Sequence, residues 1–191
     1  MELRQMTPEQ AYEVYHTQAF LQAFPWAERR PWRSIWALLQ KNAYECYGGY
    51  DAQGALLCCA FFAKAQGAYL MDYLMTMPEH RDNGLGGRFL SQLLDGPFAE
   101  RLILGEAEAP DGGPEDELRR RRLGFYRRNR FEQTDVMSWV YGVDYRIIAW
   151  NLPPATKAEA LADQLMSVYE AILGPERCGQ WVRVWQQETP E

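Results

Sequence analysis

The segment Met77-Pro78-Glu79-His80-Arg81-Asp82-Asn83-Gly84-Leu85-Gly86-Gly87 constrains this chain more than any other. A strand-like run ends before it at Thr76, and Pro78 breaks the main chain. Leu85, Phe89, Leu90, Leu93 and Leu94 then recur at helical spacing. A strand therefore hands over, through a glycine-rich turn, to an amphipathic helix. Glycine lets a ligand approach the main chain, and the first N–H groups of a helix have no internal partner. Their partial positive charge favours an anion, above all a phosphate. Three glycine patterns compete here. A Walker loop needs Gly-Lys-Ser/Thr, but Gly87 is followed by Arg88 and Phe89. A dinucleotide fingerprint begun at Gly84 ends on Phe89 instead of glycine, and it also needs an acid on the next strand. What remains is R-x-x-G-x-G-G, Arg81 to Gly87, set against the plainer reading of a flexible strand-to-helix corner.

Composition supports a folded domain with a sizeable core: 191 residues, 47% hydrophobic and 24% charged. A net charge of −6 argues against general polyanion binding, so no nucleic-acid partner is expected. The run Ala55–Ala63 is too short to span a bilayer, and no leader pattern opens the chain, so no membrane association is expected. Cys46, Cys58, Cys59 and Cys178 show no CxxC spacing; neither a disulfide framework nor a zinc site is expected, and a reducing cytoplasm fits best.

The expected order is a strand at Glu2–Met6, a helix capped by Thr7 and running toward Pro25, and a second helix opened by Pro31. Strands follow at 43–50, 55–64 and 68–76, with turn chemistry at Asp51-Ala52-Gln53-Gly54 and Gln66-Gly67 that favours antiparallel hairpins. Next come the helix near Gly84, a strand at Leu102–Glu108, and a helix after Asp111-Gly112-Gly113-Pro114. Strands at 133–140 and 145–150, a helix at 156–173 and a short strand at 181–185 complete the chain.

With this order in hand, the chain resembles the GNAT superfamily of acyl-CoA-dependent N-acetyltransferases. Arg81-Asp82-Asn83-Gly84-Leu85-Gly86-Gly87 matches that family's Q/R-x-x-G-x-G/A turn at every defined position. Phe125-Tyr126-Arg127-Arg128-Asn129-Arg130-Phe131 matches its later aromatic-pair motif, except that Arg130 replaces a glycine; Asn129 is expected to supply the left-handed helix end instead. The resemblance covers roughly residues 1–143. It implies an α/β (α+β) fold with a mixed, mostly antiparallel central sheet flanked by helices, a core at 1–143 and a C-terminal helix-strand extension at 144–191. It also implies acetyl-CoA as co-substrate, no metal, and an amine acceptor that is a small molecule or peptide. By resemblance, Met75, Thr76, Met77, the Arg81–Gly87 turn and Tyr126 hold the cofactor, with main-chain donors near Met75 and Met77 for the oxyanion. The acyl chain is expected to lie between parted strands at 68–76 and 102–108.

Amide formation from a thioester needs a neutral amine, a donor for the oxyanion and a proton for the departing thiolate. Tyr126 is the acid expected from the resemblance: a phenol titrating near ~10 is protonated at neutral pH and can donate. Phe125, at helical spacing from Leu118, is the packing residue beside it. For the base, alternation puts Asp72 on a face with Leu70 and Leu74, where desolvation would raise its pKa. Glu106 and Glu108 share a face at the end of the next strand. Each acid has a plainer reading as an ion pair, for example with one of Arg119–Arg122. Seven arginines between Arg119 and Arg130 leave −13 on the rest of a chain whose total is −6; most read as a solvated face, and one or two could reach CoA phosphates. Trp26 and Arg29, beside Pro25, are the expected acceptor-pocket residues, with Glu108. Two readings follow: an enzyme transferring acetyl to an amine, or a non-catalytic acyl-CoA-binding module on the same scaffold. The extension could cover the sheet or form a homodimer contact.

Overall fold

A computed structural model of the chain describes residues 1–65 and 67–187; Gln66 of the expected Gln66-Gly67 turn and residues 188–191 of the extension lie outside them. The chain forms two compact units, one of Met1–Lys64 with Met71–Ala99, the other of Ala65–Leu70 with Glu100 onward. The units carry eight strands, mostly antiparallel, with flanking helices, the mixed α/β class expected from the sequence.

In the first unit the strand order is β1 (Glu2–Gln5), β2 (Tyr44–Tyr50), β3 (Leu56–Ala65), β4 (Ala68–Thr76), the last contributing from Met71 on. β1 runs antiparallel to β2 from Glu2 opposite Tyr50 to Gln5 opposite Tyr47, and β2 runs antiparallel to β3 from Tyr44 opposite Ala63. The Asp51 turn forms as its chemistry dictates: Oδ1 accepts the N–H of Gln53 at 2.9 Å and of Ala55 at 2.8 Å. Helix α1 (Pro8–Tyr15) opens on a reciprocal cap, with Thr7 Oγ1 accepting Gln10 N–H and the Gln10 side chain accepting Thr7 N–H. The single helix expected up to Pro25 is divided. Thr17 Oγ1 donates to Val14 O at 2.8 Å and accepts Phe20 N–H at 3.2 Å, so it closes α1 and caps α2 (Gln18–Ala23). Helix α3 (Trp32–Gln40) starts after Pro31 as expected.

Phe20, Phe61, Phe62, Phe98 and Ile35 are fully buried in this unit, with Phe20 and Tyr73 in ring contact with each other and each with Phe24 and Phe61. Helix α4 (Leu85–Asp95) sinks Phe89, Leu90, Leu93 and Leu94 into the same core. β2 accommodates it with a residue that has no side chain: a Cβ on Gly49 would stand 2.9 Å from Phe89 Cδ2 and closer still to Met1 Sδ.

In the second unit the order is β5 (Leu102–Glu108), β7 (Val143–Trp150), β6 (Glu132–Val140), β8 (Val182–Gln186), every pair antiparallel. β7 therefore lies between β5 and β6. Helix α5 (Asp116–Arg128) follows β5, and α6 (Ala158–Leu173) lays Leu161, Leu165, Val168, Tyr169 and Ile172 into the core of the unit. A helix not read from the sequence, α7 (Pro175–Trp181), leads into β8 on the edge beside β6. Within this unit α6 lies against β6 and β8.

Gly49→Ala should lower the unfolding free energy by about 1–3 kcal/mol through overpacking against Phe89. Urea denaturation of the purified variant checks this; an unchanged midpoint would mean that α4 does not press on β2.

Candidate functional site

Between β4 and α4 the main chain makes a short 3₁₀ turn (Pro78–His80) and then two left-handed steps, Asp82 at φ 62° and Gly84 at φ 68°. Left-handed residues interspersed in a turn aim successive N–H groups at one concavity. Gly84 is the N-cap of α4; it offers no side-chain cap, and the first turn of the helix carries no acid. The contrast with the sealed start of α1 is direct. Among the described residues, none accepts the main-chain N–H of Asp82 through Gly87, and the first return bond is Arg88 N–H to Gly84 O at 3.2 Å. A Cβ at Gly84 would meet nothing within 4 Å, so the space over Gly84 is open. Arg81, Asp82 and Asn83 are exposed, and Leu85, Gly86 and Gly87 half-buried.

At the end of β4, Met75 is buried and Thr76 and Met77 are half-buried. Met77 corrects one expectation. Its N–H is donated to Leu57 O on β3 at 2.9 Å, so it is not an available oxyanion donor. Alternation along a strand turns the N–H of the preceding residue, Thr76, to the opposite edge.

Asp72 meets polar groups instead of the apolar flank expected for it. Its carboxylate accepts Arg30 Nε at 2.9 Å, Arg30 Nη2 at 3.3 Å and the Tyr44 phenol at 2.7 Å. Burial alone would lower the Arg30 guanidinium, but the charge and hydrogen bond of Asp72 outweigh it and leave it raised. Tyr73 accepts Arg30 N–H at 2.7 Å and Tyr15 donates to Arg30 O at 2.9 Å, so both main-chain groups of Arg30 are held as well. The preceding loop carries Trp26, 83% exposed, and Arg29, whose Nε is buried with no partner among the described residues.

In the second unit both Glu108 oxygens are taken: Arg119 Nε at 3.0 Å on one, Arg122 Nη1 at 3.0 Å on the other. This is the ion-pair alternative weighed for it. Asp116, buried at the start of α5, accepts the N–H of Asp111 at 2.8 Å and of Gly112 at 3.1 Å, and Arg120 at 2.9 Å. Three of the seven arginines thus serve acids of their own unit. Glu106 is half-buried, and the Tyr169 phenol donates to its Oε1 at 2.5 Å.

Tyr126 is half-buried on α5 and flanked by Phe125 and Phe131. Burial pushes its phenol above the usual value, against the opposing charge of Arg122, so it stays protonated at neutral pH. Two details of this helix differ from expectation. Leu118 is 53% exposed and Phe125 only half-buried; Leu123 is the apolar residue α5 buries. The left-handed helix end is Arg130 at φ 70°, not Asn129 at φ −102°. Phe131 N–H returns to Tyr126 O at 3.1 Å and Arg130 N–H to Arg127 O at 3.2 Å, and Arg130 lies 4.6 Å over the Trp150 ring. Among the described residues no cluster of His, Cys, Asp and Glu could hold a metal, and no helix is long and apolar enough to cross a membrane.

A putative GNAT-family acetyltransferase from Bacteroides thetaiotaomicron superposes with a TM-score of 0.71 at 20% identity, covering 91% of this chain and 99% of that one. The chain has the GNAT fold. Spermidine N-acetyltransferase from Vibrio cholerae, in complex with CoA and spermine, gives 0.58 at 13% identity over 78% of this chain and 94% of that one. An aminoglycoside 6'-N-acetyltransferase complexed with coenzyme A gives 0.61 at 13% identity over 82% and 100%. No family model matches the sequence. An uncharacterized protein of Dictyostelium discoideum is 33% identical over 87 residues, 44% of this chain; the match spans 19% of that protein's length.

The phenols of Tyr15, Tyr44, Tyr73, Tyr126 and Tyr169 are all raised, with burial the largest cause in each. The unfolded chain therefore releases these protons first, near pH ~10, while the folded chain retains them. Stability should be fully present below that pH and fall above it. Melting temperature followed with phenolate absorbance should show ionisation arriving together with unfolding; free titration of all tyrosines in the folded state would contradict this.

Proposed function

We propose that this protein transfers the acetyl group of acetyl-CoA to a primary amine of a small molecule or peptide, by direct attack while both are bound. The observation that carries the reading is the uncapped start of α4, with its open approach over Gly84 on a GNAT fold. Main-chain N–H groups at a helix start whose first turn carries no acid fit the pyrophosphate of CoA. The motif resemblance at Arg81–Gly87 and the CoA complexes among the similar structures support the same ligand. Those similar structures also support an amine acceptor, spermine in one of them.

Acetyl-CoA supplies an activated thioester. In this reading the N–H groups of Asp82–Gly87 hold its diphosphate, with Arg81 beside them. Tyr126 keeps a proton to give to the departing sulfur. Glu106 takes the proton from the amine: it accepts from the neutral phenol of Tyr169, whereas Asp72 and Glu108 are paired with arginines. Trp26 and Arg29 are the acceptor-side residues.

Gly84→Leu should weaken CoA binding at least about tenfold, because the side chain fills the approach to the N–H groups; the left-handed position adds a fold cost of about 1–2 kcal/mol. Calorimetric titration with CoA checks it, beside a thermal-shift screen of acetyl-CoA, CoA, NAD and ATP. Stabilisation by NAD or ATP alone would sink the reading; CoA binding without turnover on an amine panel would leave a binding module. Tyr126→Phe should reduce kcat about a hundredfold with little change in acetyl-CoA affinity. Equal losses in both would argue for packing instead of acid catalysis.

A further inference from the structure

Tyr169 sits in the apolar stripe of α6, among Leu161, Leu165, Val168 and Ile172, and is 2% exposed. A phenol enclosed this fully needs a partner for its hydroxyl. It finds Glu106 Oε1 at 2.5 Å and Ser138 Oγ, on fully buried Ser138 of β6, at 3.2 Å. A phenol has one proton, and the shorter contact to the carboxylate takes it; Ser138 is then the donor to the phenol oxygen. A relay of Ser138 to Tyr169 to Glu106 results, polarised in one direction.

We propose that Tyr169 is a positioning residue for Glu106, so that the C-terminal extension contributes to catalysis by fixing the carboxylate that receives the amine proton. The inference rests on Glu106 being the base. A charge-assisted hydrogen bond of this length favours the ionised carboxylate and holds its rotamer. Tyr169 itself is far too hard to ionise to act as the base: burial, then the neighbouring Glu106 charge, push it well above the usual phenol value.

Several charged groups of the same unit are engaged elsewhere. Glu108, two residues on, is held by Arg119 and Arg122 of α5. Across on β7 stands Ile147, with Arg146 and Tyr145 opposite Ala107 and Glu108. Arg146 donates to Thr134 O at 3.1 Å and to the Gln187 side chain. From β6 comes Ser138 and from α6 Tyr169. Tyr169 acts on Glu106 as a neutral donor, whereas Glu108 is held by arginines.

The test is the pH dependence of kcat/KM with acetyl-CoA and a reactive amine. Loss of the phenol hydroxyl in Tyr169→Phe removes a stabiliser of the carboxylate, so the acidic limb should move up by about 1 pH unit while KM for acetyl-CoA stays unchanged. Ser138→Ala should move it the same way by less. In a Glu106→Gln background, Tyr169→Phe should add no further loss. A folded Tyr169→Phe with an unmoved limb, or a loss additive with Glu106→Gln, would overturn the positioning role. If Tyr169→Phe does not fold, Ser138→Ala carries the test, and an unmoved limb there overturns it. Full activity in Glu106→Gln would instead remove the base assignment on which the inference stands.

Discussion

A helix that keeps its first N–H groups available must be held by something other than its cap, and α4 is held by its apolar stripe. Each of Phe89, Leu90, Leu93 and Leu94 is buried, and a fully buried side chain of this kind contributes about 1.5–3 kcal/mol. A missing side-chain cap costs about 1 kcal/mol. The stripe therefore outweighs the open end several times over, and the fold can leave Asp82–Gly87 facing solvent without losing the helix. Gly49 on β2 makes the same point from below: the core yields a side chain so that Phe89 can seat.

Charge is arranged with similar economy. Two acids of β4 and β5 are neutralised by arginines of their own unit, Asp72 by Arg30 and Glu108 by Arg119 and Arg122. Removing one partner of the enclosed Asp72–Arg30 pair would leave a buried charge, at a cost of about 3–5 kcal/mol. Arg30 does more than neutralise. Its guanidinium, N–H and carbonyl are all engaged, so the loop from Pro25 to Pro31 is pinned at its end to β4 through Asp72 and Tyr73.

Much of the fold was legible because it is written in local chemistry. The Thr7 cap, the Asp51 turn, the stripe of α4 and the strand at Leu102–Glu108 each declare themselves within a few residues. The failures are of another kind. The break at His16 depends on Thr17 bonding both ways at once, which a residue of middling helix propensity does not announce. Arg130 in a left-handed conformation is supported by a ring twenty residues away, Trp150. The partners of Asp72 and Glu106 come from Arg30, Tyr44 and Tyr169, all distant in the chain. One signal was present: a tyrosine in the otherwise aliphatic stripe of α6 requires a polar partner, and Tyr169 has one. The site residues were chosen by residue type and motif; which acids were already committed to partners could only come from the packed chain.

All four cysteines are buried, and burial pushes each thiol above its usual value; Cys46 and Cys59 are the most affected. Disulfide exchange requires a thiolate that a reagent can reach. The native chain should accordingly be silent toward aromatic disulfide dyes, so that colour developed in such a solution reports small-molecule sulfhydryls set free there, uncontaminated by the polypeptide.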